Sequence, residues 1–289
     1  MFSLITGRGA YRPLGFEQDA DALVAYYRSL GYIDAQVGQP ELEYGEVSTS
    51  GKTRPVRLRV PVTEGERYRV GEVEFDGEGV VRLEALQRIF SDLRPGQYYE
   101  EGKVRDAMLV AREAYGTGGY YEMTGFPDTV RREDTHPEAR IDGDPVVDVT
   151  LRLQEGAQYF VNRIKFRGNH VTHDDVIRRE LGLVERGVFD TSALKFSVRR
   201  LNQLGYFEPL DEDNAIQIEK RPGVDNEVDL IIDLSEANLN QLTFGAGASQ
   251  FDGFFLQLSF QTTNFLGRGE SLSVSVQNGQ RIKNYQLSF

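Results

Sequence analysis

Three histidines, and the aspartates beside two of them, are the side chains of this sequence best suited to binding a metal ion. His170 and His173 lie three positions apart, Asp174 and Asp175 follow directly, and His136 is distant from this group. To share one metal ion, the two histidines would have to bind it from a loop and from the start of a helix. A spacing of three residues across such a junction is weak evidence for a metal site. Aspartates at this place are better explained by the favourable electrostatics of a helix N-terminus. The sequence therefore predicts a helix start here and no metal site.

The sequence contains no complete motif for nucleophilic catalysis or for cofactor binding. The chain has no cysteine, which excludes disulfides, thiolate ligands and a cysteine nucleophile. Residues 247–251 (GASQF) lack the last glycine of the nucleophile elbow and lie in a predicted strand rather than a strand-to-helix turn. There is no phosphate-binding loop ending in Gly-Lys-Ser/Thr and no full dinucleotide fingerprint. We predict that this stretch is not an enzyme and uses no cofactor.

The charge of the chain is strongly negative and unevenly distributed. Forty-five acidic and 33 basic residues give a net charge of −12 over 289 residues. This balance argues against a general nucleic-acid partner, because phosphate binding requires a basic surface. Residues 239–289 carry only five charged side chains, with a net charge of +1, so the rest of the chain carries −13. The two parts are therefore expected to lie in different surroundings.

An internal repeat is the strongest signal in the sequence. Apolar residues alternate with polar ones before a Glu-Gly pair at Glu64, and the same pattern returns 91 residues later before Glu155. The alternating apolar positions of these two runs are Val56, Leu58, Val60 and Val62, and then Val147, Val149, Leu151 and Leu153. A third run, residues 228–234, ends at Glu236. Alternation of this kind indicates strands with one buried face, and the recurring glutamates are predicted to be architectural.

Two helical patterns separate the strands of each unit. The second helix of each unit, predicted at residues 22–30, 104–115 and 198–204, runs into glycine and then tyrosine, and glycine is the usual residue just beyond a helix C-terminus. The first helix is clearest at residues 176–181, where Thr172 and Asp175 have a spacing like that of a capping box. The order is therefore β-α-α-β-β, with repeat 1 at residues 1–65, repeat 2 at 66–156 and repeat 3 at 157–237. The first strand of repeat 1 would fall before residue 1, so we expect the chain to begin partway through a longer protein.

Residues 238–289 follow a different pattern. Apolar residues alternate with glycine, serine, threonine and glutamine in strands of about ten residues, a pattern typical of transmembrane β-barrels. A soluble antiparallel sheet shows the same alternation, but the scarcity of charge on the polar side favours the barrel. Such barrels need about eight strands and this segment holds four at most, so we expect the first strands of an incomplete barrel.

These features together resemble a known family. Repeated β-α-α-β-β units with a helix ending in Gly-Tyr, and a next strand ending in aromatic-x-Gly, resemble POTRA domains. POTRA domains followed by a barrel resemble the outer-membrane assembly factor superfamily. Residues 159–169, 176–180 and 201–207 are similar to the last POTRA domain before the barrel, and the turn 264–269 (NFLGRG) resembles the motif after the second barrel strand. The fold class is then α+β, with tandem POTRA domains followed by an incomplete antiparallel transmembrane β-barrel.

The resemblance implies a function without nucleotide or metal. It identifies the repeats as a partial third POTRA domain followed by the fourth and fifth, which lie in the periplasm and receive unfolded outer-membrane protein clients. The POTRA domains would also hold accessory lipoproteins, while the barrel contacts the lipid bilayer of the outer membrane. Two alternatives stay open: a sister member that translocates or secretes proteins, and a POTRA stalk attached to an upstream enzymatic domain. The sequence that precedes residue 1 would distinguish them.

The candidate client-binding sites are three strand edges that follow the Gly-Tyr pairs. A strand edge accepts an extended guest through main-chain hydrogen bonds, which tolerate many guest sequences. These edges are bounded by Ile33 and Val37, by Tyr121 and Thr124, and by Ala215 and Ile218. The alternative for each is an ordinary solvated edge.

The first strand of the barrel would, by the same resemblance, open as a lateral gate. Its residues are Leu242, Thr243, Phe244, Gly245, Ala246 and Gly247. The two glycines lower the stability of the strand, which suits a seam that opens. The alternative is that small residues simply line the barrel interior.

Overall fold

The computed structural model describes residues 13–47, 54–77, 79–133, 135–136, 138–251 and 253–289. Residues 1–12 and 48–53 of repeat 1 lie outside this part of the chain. The described residues form two compact units, one of residues 13–112 and 123–155 and one of residues 113–122 and 156–289. Among the described residues, no helix combines the length and the apolar character needed to cross a membrane.

The first unit begins with the elements of repeat 1. In chain order these are α1 (Pro13–Ser29), β1 (Gln36–Val37), β2 (Glu41–Tyr44), β3 (Val56–Arg59) and β4 (Val62–Thr63). Strands β1 and β4 form one antiparallel pair, and β2 and β3 form another. Gly31, just beyond α1, has a φ of +100°, so the glycine predicted at this helix end is needed for its backbone conformation.

Repeat 2 supplies the larger sheet of the first unit. Its elements are β5 (Arg69–Asp76), α2 (Leu83–Ile89), α3 (Glu101–Thr117), β6 (Thr124–Arg131), β7 (Arg140–Ile141) and β8 (Asp144–Gln154). The strand order is β5-β8-β6, with β5 parallel and β6 antiparallel to β8, and with β7 paired to the start of β8. The predicted alternation is confirmed, because Val147, Val149 and Leu151 of β8 are buried.

The second unit contains repeat 3, built on the same plan. Its elements are β9 (Phe160–Arg167), α4 (Asp174–Arg178), α5 (Thr191–Leu204), α6 (Glu212–Ala215), β10 (Ile216–Lys220) and β11 (Glu227–Asp233). The order is β10-β11-β9, with β9 parallel to the central strand and β10 antiparallel to it. Apolar side chains of the strands and of the helices pack together in one core, which includes Val161, Ile164, Ile177, Leu201 and Ile232.

The helix ends of repeat 3 show one correct prediction and one wrong one. Gly205 ends α5 in the left-handed conformation, as predicted from the Gly-Tyr pair. Thr172 does not cap α4: the N-cap residue is His173, and its side chain makes no capping hydrogen bond. The main-chain and hydroxyl groups of Thr172 are instead used by Glu236 and Asn264, which are far away in sequence.

The chain ends in a four-stranded antiparallel sheet, which we call the terminal sheet. Its strands, in both chain and spatial order, are β12 (Asn240–Ser249), β13 (Gly253–Phe265), β14 (Glu270–Gly279) and β15 (Lys283–Ser288). The register aligns apolar residues in rows, such as Phe244, Leu258, Val276 and Tyr285. Neighbouring rows hold uncharged polar residues, such as Thr243, Ser259, Ser275 and Gln286. One face of the sheet is therefore mainly apolar, with Asn278 and Lys283 in its last row, and the other is mainly polar without charge, with Phe255 between two glycines.

Candidate functional site

Repeats 2 and 3 each use a glutamate, buried in repeat 2 and half-buried in repeat 3, to hold the loop before their first helix. Glu236, which follows β11, accepts hydrogen bonds from the main-chain N–H groups of Thr172 at 2.6 Å and Val171 at 3.0 Å. Burial alone would raise the pKa of Glu236, but these N–H donors outweigh it and hold that pKa below the usual value. Glu155 likewise accepts from the N–H groups of Gly79 and Val80. These two of the three recurring glutamates therefore have the predicted architectural role.

The first unit contains a contact between an acidic residue, a tyrosine and a basic residue, which we call an acid–tyrosine–base contact. Asp34, three residues after Gly31, accepts a hydrogen bond from the Tyr68 hydroxyl at 2.9 Å and forms an ion pair with Arg131. The main-chain N–H of Tyr68 also donates to the carbonyl of Gly31 at 3.0 Å. Burial, and then the bond to Asp34, raises the pKa of Tyr68. The base is the last residue of edge strand β6.

The second unit contains the same contact with different residues. Glu122, three residues after Gly119, accepts a hydrogen bond from the Tyr159 hydroxyl at 2.7 Å and forms an ion pair with Lys220 at 2.7 Å. The N–H of Tyr159 donates to the carbonyl of Gly119 at 2.9 Å. Hydrogen bonds from Lys220 and Tyr159 lower the pKa of Glu122, and the Glu122 carboxylate raises that of Lys220. Here, too, the base is the last residue of an edge strand, β10.

The sequence analysis missed these acid–tyrosine–base contacts, although the signal was present. An acidic residue follows each of the first two Gly-Tyr pairs at the same distance, and Tyr68 and Tyr159 lie 91 residues apart, which is the period of the repeat. The spacing alone does not show that the acid and the tyrosine of each contact belong to neighbouring periods of the repeat. The contact follows only when the two periods are placed side by side.

The predicted strand edges begin later than the sequence pattern placed them. Ile33 lies in a turn before β1, Tyr121 in a turn before β6, and Ala215 at the end of α6. Val37 ends β1, Thr124 begins β6, and Ile218 is the middle residue of β10. Tyr121 is instead a packing residue, with its ring 4.8 Å from Tyr159 and 5.1 Å from Phe189. The strands that carry these predicted edges are therefore β1, β6 and β10.

A polar cavity of about 390 Å³ lies beside β6 in the first unit. Its walls include Ile33 and Asp34 from repeat 1 and Pro127, Thr129 and Arg131 from β6. It brings the predicted residue Ile33 next to the edge of the larger sheet. Thr124, at the other end of β6, does not line it.

Strand β12 lies at one edge of the terminal sheet and pairs with β13 over its whole length. Leu242 and Phe244 are about 70% exposed, on the apolar face. The two glycines are not equivalent: a Cβ at Gly247 would lie 2.6 Å from the ring of Phe255, whereas one at Gly245 would meet only Gln257 at 3.9 Å. Gly247 is therefore needed for the packing of Phe255, and Gly245 has room for a side chain.

The turn between β13 and β14 is held against repeat 3. The side-chain amide of Asn264 donates to the Thr172 hydroxyl at 2.9 Å, and both residues are buried. The N–H of His173 donates to the carbonyl of Gly267 at 3.0 Å. The N–H of Gly269 donates to the side-chain oxygen of Asn264 at 2.7 Å. The segment 264–269, noted in the sequence as a motif, is thus a docking turn.

The histidine cluster has structural contacts. His173 is the N-cap of α4, and Asp174 accepts a hydrogen bond from Asn169 at 2.8 Å. In the described part of the chain, no group of three or more histidine or acidic side chains is arranged to hold a metal ion. The predicted helix start at this position is confirmed.

Comparison with known proteins defines the class of the chain. The POTRA family model, described as a surface antigen variable number repeat, matches residues 68–156 and 159–237. The chain therefore belongs to the POTRA family, and the α+β POTRA fold predicted for repeats 2 and 3 is confirmed.

Particular relatives are similar over the whole chain. The outer membrane protein assembly factor BamA of Neisseria meningitidis is 27% identical over 290 residues, which is 100% of this chain and 34% of the relative. The BamA of Nitratidesulfovibrio vulgaris is 27% identical over 292 residues, with the same coverage. The chain thus spans about a third of the length of these curated relatives. The predicted resemblance is confirmed, and the predicted location at the outer membrane, with POTRA domains in the periplasm, agrees with it.

Solved structures agree on the fold. A crystal structure of Haemophilus influenzae BamA POTRA3-5 covers 80% of this chain and 83% of its own, with a TM-score of 0.58 and 22% identity. BamA from Haemophilus ducreyi lacking POTRA domains 1–3 covers 73% of this chain and 37% of its own, with a TM-score of 0.57 and 23% identity.

Proposed function

We propose that this chain is the part of an outer-membrane protein assembly factor in which the POTRA domains meet the start of a membrane β-barrel. Its domains are then a POTRA domain within residues 1–65, two more at 66–156 and 157–237, and the first barrel strands at 238–289. The function is non-enzymatic and needs no cofactor or nucleic acid. The observation that carries the proposal is a tandem of POTRA repeats followed directly by a sheet with one mainly apolar face and one mainly polar, uncharged face.

The terminal sheet has the surface that a membrane strand requires. Exposed apolar side chains lie on one face in three of the four strands, among them Leu242 of β12, Leu258 of β13 and Leu287 of β15, and the apolar side chains of the inner strand β14 are half-buried. The opposite face carries serine, threonine, glutamine and glycine, which suit a polar barrel interior. We propose that the apolar face contacts the lipid bilayer and that β12 is the strand that opens as a lateral gate.

The POTRA domains are the proposed receivers of unfolded clients and accessory lipoproteins. Two of their sheets end in edge strands, β6 and β10, which carry the predicted residues Thr124 and Ile218. An edge strand binds an extended chain through main-chain groups, so it accepts clients of many sequences. The relatives are named as outer membrane protein assembly factors, which supports this assignment over secretion or an enzyme stalk.

Folding of a client barrel in liposomes tests the proposal. The full-length protein that contains this chain, reconstituted in phospholipid vesicles, should accelerate the folding of a urea-unfolded porin, as measured by heat-modifiable migration on gels. Empty vesicles are the control. Equal folding rates with and without the protein would refute the assembly function.

A substitution in β12 tests the gate separately. Gly245→Val should strengthen the strand by about 0.5–1 kcal/mol or more, because glycine weakens strand interiors and this position has room for a side chain. We expect slower client folding with Gly245→Val and unchanged folding with Ser275→Val, which adds the same side chain to the inner strand β14. Equal rates for the two variants would refute the gate and leave the assembly function intact.

A further inference from the structure

The main-chain groups that β10 presents to solvent follow from its pairing with β11. The N–H of Arg221, one residue beyond β10, donates to the carbonyl of Glu227 in β11 at 3.0 Å. Hydrogen-bonding groups alternate in direction along an antiparallel strand, so Ile216, Ile218 and Lys220 direct their N–H and C=O groups away from β11. None of these three residues is proline, so no main-chain donor is missing from this row.

The corresponding row on β6 is interrupted. The N–H of Arg132, one residue beyond β6, donates to the carbonyl of Val146 in β8 at 3.1 Å. By the same alternation, the outward groups of β6 belong to Gly125, Pro127, Thr129 and Arg131. Proline has no N–H, and an edge strand tolerates it where that N–H would face outward. Pro127 therefore removes a donor from the middle of the row and places its ring there.

The opposite edges of the two sheets are already occupied by the protein. On β9, the N–H of Ile164 donates to the Glu185 carboxylate at 3.0 Å, and its carbonyl accepts from Arg178 at 2.7 Å. On β5, the N–H of Val70 donates to the carbonyl of Gln97 at 2.8 Å, and its carbonyl accepts from the N–H of Gly96, also at 2.8 Å. Neither edge offers a continuous row to another chain.

We propose that β10 is the edge through which this chain takes up an extended polypeptide segment, and that Pro127 closes the corresponding edge β6. This rests on the proposed function, of which it names the receiving strand. Ile216 packs against the core and Ile218 lies on the same side of the strand, whereas Gln217 and Glu219 lie on the other side and are exposed. A strand added here thus has an apolar and a polar side, so the guest is a segment with alternating apolar and polar residues, as in strands of membrane barrels.

A peptide with that alternation is the probe. The peptide ESLSVSVQNG, the sequence of β14, is titrated into the full 289-residue chain in detergent micelles, and amide hydrogen exchange locates the bound peptide. A peptide of the same composition without the alternation is the control. We expect new protection at the amides of Ile216, Ile218 and Lys220, with weaker binding of the scrambled peptide.

Two proline substitutions make the test reciprocal. Ile218→Pro removes an outward N–H from β10, as Pro127 does in β6, and should weaken peptide binding about tenfold. Ile218→Ala keeps the N–H and is the matched control, with binding close to that of the unmodified chain. Pro127→Ala restores the N–H in β6 and should create a second protected patch at residues 125–131. Because this last variant gains binding, the test holds even where Ile218→Pro lowers the stability of the fold.

The outcomes separate the inference from the function on which it rests. The assignment of β10 is overturned if protection is confined to β6, β12 or β15. It is also overturned if Ile218→Pro and Ile218→Ala bind the peptide equally well. In both cases strand capture by this chain stands. No protection at any edge, in the unmodified chain and in Pro127→Ala, overturns both the assignment and strand capture by the POTRA domains.

Discussion

The side-chain amide of Asn264 and the hydroxyl of Thr172 form a buried hydrogen bond, 2.9 Å long, between residues that are 92 positions apart. The same asparagine accepts a bond from the N–H of Gly269, so one side chain both shapes its own turn and attaches it to repeat 3. Glu236 holds the N–H of Thr172 from the other side. The loop before α4 is therefore held by the end of the POTRA repeat and by the terminal sheet together.

Replacing Asn264 tests how much this attachment contributes. Asn264→Ala leaves the hydroxyl of Thr172 and the N–H of Gly269 without these partners, and each such loss in a buried place costs about 1–3 kcal/mol. We expect urea unfolding of the chain in detergent, followed by circular dichroism, to show a loss in that range. Asn278→Ala changes an exposed asparagine of the same sheet and should have little effect. Equal losses for both variants would contradict a specific role for Asn264.

Gly267 offers a second test at the same contact. It has a φ of +72°, and a Cβ there would overlap the main-chain oxygen of Val171. Gly223 has a φ of +78° with nothing within 4 Å of such a Cβ. Alanine at Gly223 should therefore cost about 1 kcal/mol of unfolding free energy from backbone strain alone.

Alanine at Gly267 should cost about 3 kcal/mol, because the docking turn must also move away from repeat 3. Increased hydrogen exchange at His173, whose N–H donates to Gly267, is expected for this variant and not for Gly223→Ala. Similar stabilities for the two alanine variants would mean that the turn docks without close contact.

The Glu122 carboxylate gives the chain a predictable response to acid. Its pKa in the folded state lies below the usual value of 4.5, so its contribution to stability is present above about pH 5 and is lost as the pH falls through the lowered pKa. Glu122 is 39% exposed in its ion pair with Lys220, so the contribution is below about 1 kcal/mol.

Glu122→Gln should therefore lower the unfolding free energy slightly at pH 7 and make it less dependent on pH between about 5 and 3. Glu208→Gln, at the exposed position three residues after Gly205, is the matched control. Parallel pH profiles for the Glu122→Gln variant and the unmodified chain would exclude this carboxylate as a source of acid sensitivity.

The recurring glutamate can be tested in repeat 3. Glu236→Ala removes the acceptor for two main-chain N–H groups, those of Val171 and Thr172, and should cost about 1–3 kcal/mol of unfolding free energy. Glu219→Ala, on the exposed side of β10, should cost less than about 0.5 kcal/mol. Amide hydrogen exchange at Val171 and Thr172 provides the local measurement. These two amides should be less protected in Glu236→Ala and unchanged in Glu219→Ala.

The sequence predicted what depends on local pattern. Alternation along β8 identified its buried residues, and the Gly-Tyr pairs identified helix ends such as Gly205, because both signals act within a few residues. The capping prediction for Thr172 failed because its partners, Glu236 and Asn264, come from distant segments. The difference between β6 and β10 was also missed, since the direction of the missing N–H at Pro127 depends on the register with β8. Local chemistry thus predicted the elements, while their pairing decided which edges are open.

The contacts made by Asp34 and Glu122 bear on how such chains change in length during evolution. In each contact the acid belongs to one period of the repeat, and the tyrosine and the base belong to the next. Duplicating or deleting one whole period therefore supplies or removes both halves of a junction together, and no new interface has to arise. Selection can then adjust the number of repeats in an array without first solving how an added copy is to be joined.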